Sequence, residues 1–257
     1  MKVTDKYTRT DAALCSRNVN TKGKGRMGKY FGTDGFRGEA NENLTADHAY
    51  KIGRFLGWYY GELKRRNGDD TPARIVIGKD TRRSSYMFEY TLVGGLVAYG
   101  ADAYLLHVTT TPSVAYVART DNFDCGIMIS ASHNPYYDNG IKLINGNGEK
   151  MEEETIALVE DYLDGKVEVF GETYEEVPYA HKNRIGCTVD YVAGRNRYVG
   201  DYILSLQESC IIIEGIRASE SYKRSSMEEE CMYFKSYFTP NEKCPSPAGT
   251  TSLIIST

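Results

Sequence analysis

Between Met27 and about residue 180, short apolar runs alternate with helix-length amphipathic segments, and that alternation leaves few folds open. Arg74-Ile75-Val76-Ile77-Gly78 is apolar but too short for a helix, and it reads as a strand buried on both faces. Ala101–Leu106, Cys125–Ile129 and Gly140–Ile144 repeat the signature. Thr45 can cap a helix whose first turn holds Asp47, and Ala49, Ile52, Leu56, Tyr60 and Leu63 then recur at helical spacing until Asn67-Gly68 and Pro72. A second helix is expected from Ser84 to about Ala98, closed by Gly100. A third opens at Thr111-Pro112, with proline at its favoured first position. A fourth, Glu152–Leu163, turns Ile156, Val159 and Leu163 inward and stops at Gly165. Strands separated by helices require crossovers, and crossovers make a largely parallel sheet. The fold expected over residues 27–187 is therefore α/β, with a mixed, mostly parallel sheet and helices on both faces. Ligands of such sheets sit beyond the carboxyl ends of strands. The loop Ser130–Asn139, which leaves the strand Cys125–Ile129, is in the right place for chemistry.

The chain has 257 residues, enough for one large or two modest domains. Its net charge of −4 provides no field to gather nucleic acid or an anionic membrane, so neither is an expected partner. No run approaches the roughly 18 apolar residues that cross a bilayer. A small anionic ligand would need a local cluster of cations or backbone donors. Residues 1–26 are basic without an apolar core, unlike a secretory signal. They read as upstream sequence or a disordered extension, with Met27 the expected start. The six cysteines include no Cys-x-x-Cys pair and no histidine at metal spacing, so a reducing, cytoplasmic compartment is expected. Residues 188–206, rich in Tyr and Arg, read as a linking helix. Within 207–257 one run, Cys210-Ile211-Ile212-Ile213, looks strand-like, and the rest shows no sustained period. That stretch reads as an aberrant, non-native tail, such as an out-of-frame reading would produce.

Two segments carry candidate chemistry. In Ser130-Ala131-Ser132-His133-Asn134-Pro135-Tyr136-Tyr137-Asp138-Asn139-Gly140-Ile141-Lys142, Ser132 is a candidate nucleophile beside an imidazole, with a cation at Lys142. The same residues also make an ordinary polar turn, since Asn134-Pro135 and Asp138-Asn139-Gly140 are turn sequences. In Tyr30-Phe31-Gly32-Thr33-Asp34-Gly35-Phe36-Arg37-Gly38, three glycines frame one arginine. Glycines let backbone approach an anion, and a guanidinium grips phosphate through paired hydrogen bonds. A glycine-rich turn with a solvated arginine is the alternative. Lys79-Asp80-Thr81-Arg82-Arg83 follows a strand and could contact phosphate.

Together the two segments resemble the α-D-phosphohexomutase superfamily. The Ala131–Pro135 run is similar to its phosphoserine loop. Phe31–Gly38 and Thr188–Tyr198 are similar to its phosphoglucosamine mutase branch, and the likeness extends over about Met27 to Leu206. The resemblance implies interconversion of glucosamine 6-phosphate and glucosamine 1-phosphate through a phosphoserine and a sugar bisphosphate, with Mg²⁺ as cofactor. It implies that Ser132 carries the phosphoryl group and meets the metal through it. His133 and Arg37 would line the reacting phosphate, and Lys142 would assist proton transfer or charge stabilisation. Thr33, Asp34, Gly35, Ser130 and Asn134 would contact phosphate or substrate. A homodimer is implied for the full-length enzyme. The runner-up is a phosphomannomutase/phosphoglucomutase; a different kind of reading is a non-catalytic fragment that binds a sugar phosphate or dimerises. Family members are longer, with four domains. The acidic metal loop, the sugar-choosing loop and the last phosphate clamp have no counterpart in this sequence. The expectation is therefore a complete first domain followed by a truncated or aberrant start of the second, inactive alone.

Overall fold

The computed structural model describes residues 28–217, with side chains as far as Ser205. Of these, residues 28–195 form one compact unit, and a second begins at Asn196. The first unit is built on a seven-stranded sheet in the order β1-β2-β6-β5-β3-β4-β9. Its strands are β1 Phe31–Gly32, β2 Gly35–Glu39, β3 Ala73–Lys79, β4 Ala101–Val108, β5 Cys125–Ile129, β6 Asp138–Asn145 and β9 Thr188–Asp190. β5, β3, β4 and β9 pair in parallel; β6 joins β5 antiparallel, and β2 and β1 continue that antiparallel side. The mixed, mostly parallel α/β sheet expected from the sequence is thus present.

Alternation along the central strands explains why both faces are covered. Ile75 and Ile77 of β3 point into a core shared with Phe55 and Leu56 of α1 (Ala46–Arg66) and Phe88, Leu92 and Leu96 of α2 (Arg83–Ala98). Val76 points the other way, into a smaller core with Val114, Val117 and Ala118 of α3 (Thr111–Thr120). Successive strand residues face opposite sides, so a strand apolar at every position demands helices above and below. α4 (Glu153–Leu163) adds Val159 and Tyr162 to the larger core. Thr45 caps α1 as expected: its Oγ1 accepts from the His48 amide, and His48 Nδ1 accepts from the Thr45 amide at 3.2 Å.

Three segments differ from the sequence reading. Thr188–Asp190, the opening of the expected linking helix, is β9, the outermost strand beside β4. The helix that follows, α5, runs over Val192–Arg217 and takes in Cys210–Ile213, which had looked strand-like. Four apolar residues fit either structure, and a helix already propagating from Val192 adds residues at one hydrogen bond each. A two-stranded hairpin, β7 (Val167–Val169) with β8 (Glu172–Tyr174), was not anticipated. The expected extension 1–26 and the part of the expected aberrant tail beyond residue 217 lie outside the described residues. Among the described residues, no helix is long and apolar enough to cross a membrane.

Candidate active site

β5 ends at Ile129, and the chain returns as β6 through the loop Ser130–Tyr137. Arg37 of β2 lies opposite Gly140 of β6, so the two share a face of the sheet, and Lys142, two residues along β6, shares it too. Glycine at 140 keeps that face open: a Cβ there would stand 2.8 Å from Ser130 O and 3.1 Å from Arg37 Cγ. Gly35, at φ +97°, lets the β1–β2 turn lie against β6, where a Cβ would meet Ile141 O at 2.5 Å.

The loop brings Ser132 over this face. Lys142 Nζ donates to Ser132 Oγ at 2.8 Å, and Arg37 Nη2 donates to the same oxygen at 3.4 Å. Arg37 Nη2 also pairs with Asp34 Oδ2 at 3.2 Å, while Arg37 Nε is buried without a hydrogen-bond partner among the described residues. Ser132 itself is exposed and takes a left-handed backbone conformation, φ 55°. Burial, and then the neighbouring Arg37 charge, hold the Lys142 ammonium below the ordinary lysine pKa, against opposing pulls from Asp34 and Asp80. Chemically, this is an accessible hydroxyl with two cations on its oxygen, an arrangement suited to negative charge on or attached to Oγ.

Of the residues singled out in the sequence, Ser132, Lys142, Arg37 and Asp34 converge. Ser130 Oγ accepts from the Ser132 amide at 3.0 Å and so shapes the loop from beneath. Asn134 turns its amide to Asp138 Oδ2 at 3.0 Å, closing the loop on itself. His133 is exposed. Thr33 is exposed at the tip of the β1–β2 turn. The Lys79–Arg83 segment does lie at the site, but it divides. Lys79 is buried in β3 and paired with Glu89, whereas Arg82 reaches the serine loop and donates to the Ser132 carbonyl at 2.9 Å. The charged run at 79–83 carries no sign of this contact, because the acceptors of Arg82 are main-chain carbonyls.

Among the described residues, no group of three or more His, Cys, Asp or Glu side chains converges to hold a metal ion. The donors around Ser132 are themselves cations, with Asp34 the one carboxylate paired to them. These residues do not by themselves fit Mg²⁺, which requires oxygen ligands in octahedral array.

Residues 28–169 match the family model described as phosphoglucomutase/phosphomannomutase, alpha/beta/alpha domain I. A phosphoglucosamine mutase from Lachnospira eligens is 71% identical over 180 residues, which cover 70% of this chain and 37% of that protein. One from Lachnoclostridium phytofermentans is 64% identical over 177 residues, covering 69% of this chain and 36% of that protein. The chain thus spans little more than a third of the length of these relatives. A crystal structure of a phosphoglucomutase/phosphomannomutase family protein from Burkholderia thailandensis superposes with a TM-score of 0.47 at 24% identity, covering 63% of this chain and 32% of that one. With more than half of its length matched to the family's first domain and its phosphoglucosamine mutase relatives so similar, the chain belongs to the phosphoglucomutase/phosphomannomutase family.

Proposed function

We propose that this chain is the phosphoserine-bearing first domain of a cytoplasmic phosphoglucosamine mutase, which interconverts glucosamine 6-phosphate and glucosamine 1-phosphate. The observation that carries this reading is the pair of cations on Ser132 Oγ, Lys142 Nζ at 2.8 Å and Arg37 Nη2 at 3.4 Å. A phosphoryl group on that oxygen would sit against both. Phosphoryl transfer depends chiefly on positioning and on neutralising spread negative charge. In the forward step, a sugar hydroxyl oxygen bonds to phosphorus as the bond to Ser132 Oγ breaks, giving a sugar bisphosphate and a free serine. Lys142 gives its proton to the departing Oγ, and the proton lost by the sugar hydroxyl restores it. A depressed pKa makes that exchange easier. After the bisphosphate turns over, the reverse step places its other phosphate on Ser132. Arg37 steadies charge in both directions. The Mg²⁺ that the resemblance implies would take its acidic ligands from outside residues 28–217. The choice of amino sugar over mannose or glucose is supported by the names of the 71% and 64% identical relatives.

The test is a graft in which residues 28–206 replace the matching segment of the Lachnospira eligens relative. The graft should turn over glucosamine 6-phosphate, and mass spectrometry should place phosphate on the peptide containing Ser132. Ser132→Ala should abolish both. A dead graft, or an active Ser132→Ala graft phosphorylated at Ser130, would overturn the assignment.

A further inference from the structure

The serine loop has little packing to hold it. Ser132, His133 and Pro135 are exposed, and Tyr136 and Tyr137 are 86% and 48% exposed. Yet the loop keeps Ser132 in a left-handed conformation that a side-chain-bearing residue adopts at a cost of roughly 1 kcal/mol or more. Polar contacts must therefore fix its shape, and four of them come from one side chain. Arg82 Nη2 donates to the carbonyls of Ser132 at 2.9 Å and Asn134 at 2.8 Å. Arg82 Nη1 donates to the carbonyls of Asp138 at 3.0 Å and of Pro135. Arg82 Nε donates to Asp80 Oδ2 at 2.9 Å. A guanidinium has five N–H groups in one plane, and here each has an acceptor.

The arginine is itself anchored. Asp80 Oδ1 accepts from the Arg82 amide at 3.1 Å and from Ser85 Oγ at 2.6 Å, and the Asp80 amide donates to Ile129 O, at the root of the loop, at 3.0 Å. At the far end of the loop, the buried Asn139 amide donates to Ser84 Oγ at 2.8 Å and Ser85 Oγ at 2.9 Å. The β3–α2 turn and the first turn of α2 thus hold the loop at both ends and in the middle.

We propose that Arg82, aimed by Asp80, is the positioning residue that sets where Ser132 Oγ points. It touches that serine only through the main-chain carbonyl. Through the carbonyl it fixes the peptide on which the hydroxyl is carried toward Lys142 and Arg37. Lysine cannot substitute, because an ammonium has three donors and no plane to match four carbonyls. What the positioned serine does rests on the function proposed above; the positioning itself does not.

Two measurements separate these. In the 257-residue chain, amide hydrogen exchange should quicken at Ser132, Asn134 and Asp138 by about tenfold or more in Arg82→Lys, as expected for lost charge-assisted hydrogen bonds, while β3 and β5 keep their protection. In the graft, Arg82→Lys should lower kcat by about 10²-fold, the effect of an ångström-scale misplacement, with KM little changed. Added guanidinium should restore part of the turnover lost in Arg82→Ala. An inactive wild-type graft would overturn the proposed function and leave the exchange result standing. Unchanged loop exchange in Arg82→Lys, or a loss confined to KM, would overturn the positioning role. If Arg82→Lys loses protection throughout, Asp80→Asn decides: it keeps the guanidinium but removes one of its anchors. Faster exchange confined to the loop would then support the proposal, and no change would refute it.

Discussion

Ser132 combines an exposed hydroxyl with a backbone conformation that favours glycine, φ 55°. The strain is a property of the chain alone, so it can be measured without substrate. Ser132→Gly should be more stable than Ser132→Ala by about 1 kcal/mol in denaturant unfolding, because only glycine relaxes at positive φ. Equal stabilities would mean that the loop is not held in this conformation. Arg37→Ala and Lys142→Ala in the graft should each cost about 2–4 kcal/mol of transition-state stabilisation, by analogy with lost oxyanion donors, with melting almost unchanged. Unaltered kcat in both would reduce these side chains to structural roles. Ser132, Arg37 and Lys142 were legible in the sequence because a nucleophile and cations stood in short, distinctive motifs. Arg82 was not. It lies 50 residues from Ser132 and binds carbonyls, which carry no residue-type signal. Its faint trace was a charged run directly after a buried strand.

Among the elements, the central strands and four helices were legible because each is long enough to show a period. β9 has three residues, as do β7 and β8, too few to alternate visibly. What makes β9 a strand is its pairing with β4, with Thr188 beside Ala103 and Asp190 beside Leu105, some 85 residues apart in sequence. The start of α1 shows the opposite case, a local motif with one substitution. His48 occupies the place of the usual Glu or Gln in the capping box. Its Nδ1 must be unprotonated to accept from the Thr45 amide, and the ring lies beside Tyr30 and Phe36, at 5.7 and 5.2 Å between centroids. Burial lowers its pKa, with Asp47 pulling upward and Lys51 adding to the depression. With the folded pKa below the unfolded one, the unfolded state binds the proton first. Stability from this group is thus complete above about 6.5 and is lost as the pH falls from there through the folded value. His48→Gln keeps an acceptor at this position but cannot titrate. It should therefore reduce the drop in melting temperature between pH 7.5 and about 5.5. An identical drop would place the acid sensitivity elsewhere.

On the scale of the whole molecule, two charge distributions oppose each other. The chain carries a net charge of −4, yet Ser132 faces Lys142 and Arg37 over one face of the sheet. Attraction for the sugar phosphate of the proposed reaction must therefore be local, and local attraction is strong only where water is excluded. Here Ser132 is exposed, and Arg37 is partly committed to Asp34. A transferring phosphoryl group spreads its charge over three oxygens, and a sugar bisphosphate brings a second phosphate that must be gripped at the same time. The described residues offer Ser132 two cations and no acidic cluster for a metal ion. The matched relatives are nearly three times as long as the segment they share with this chain. The expected outcome is that the purified 257-residue chain shows no mutase turnover in a coupled assay with Mg²⁺, glucosamine 6-phosphate and a glucosamine bisphosphate primer, whereas the graft does. Adding Mg²⁺ or salt should not rescue the chain, since neither encloses the site nor supplies the second grip. Turnover by the chain alone would show that Ser132, Lys142 and Arg37 need no further enclosure to move a phosphoryl group.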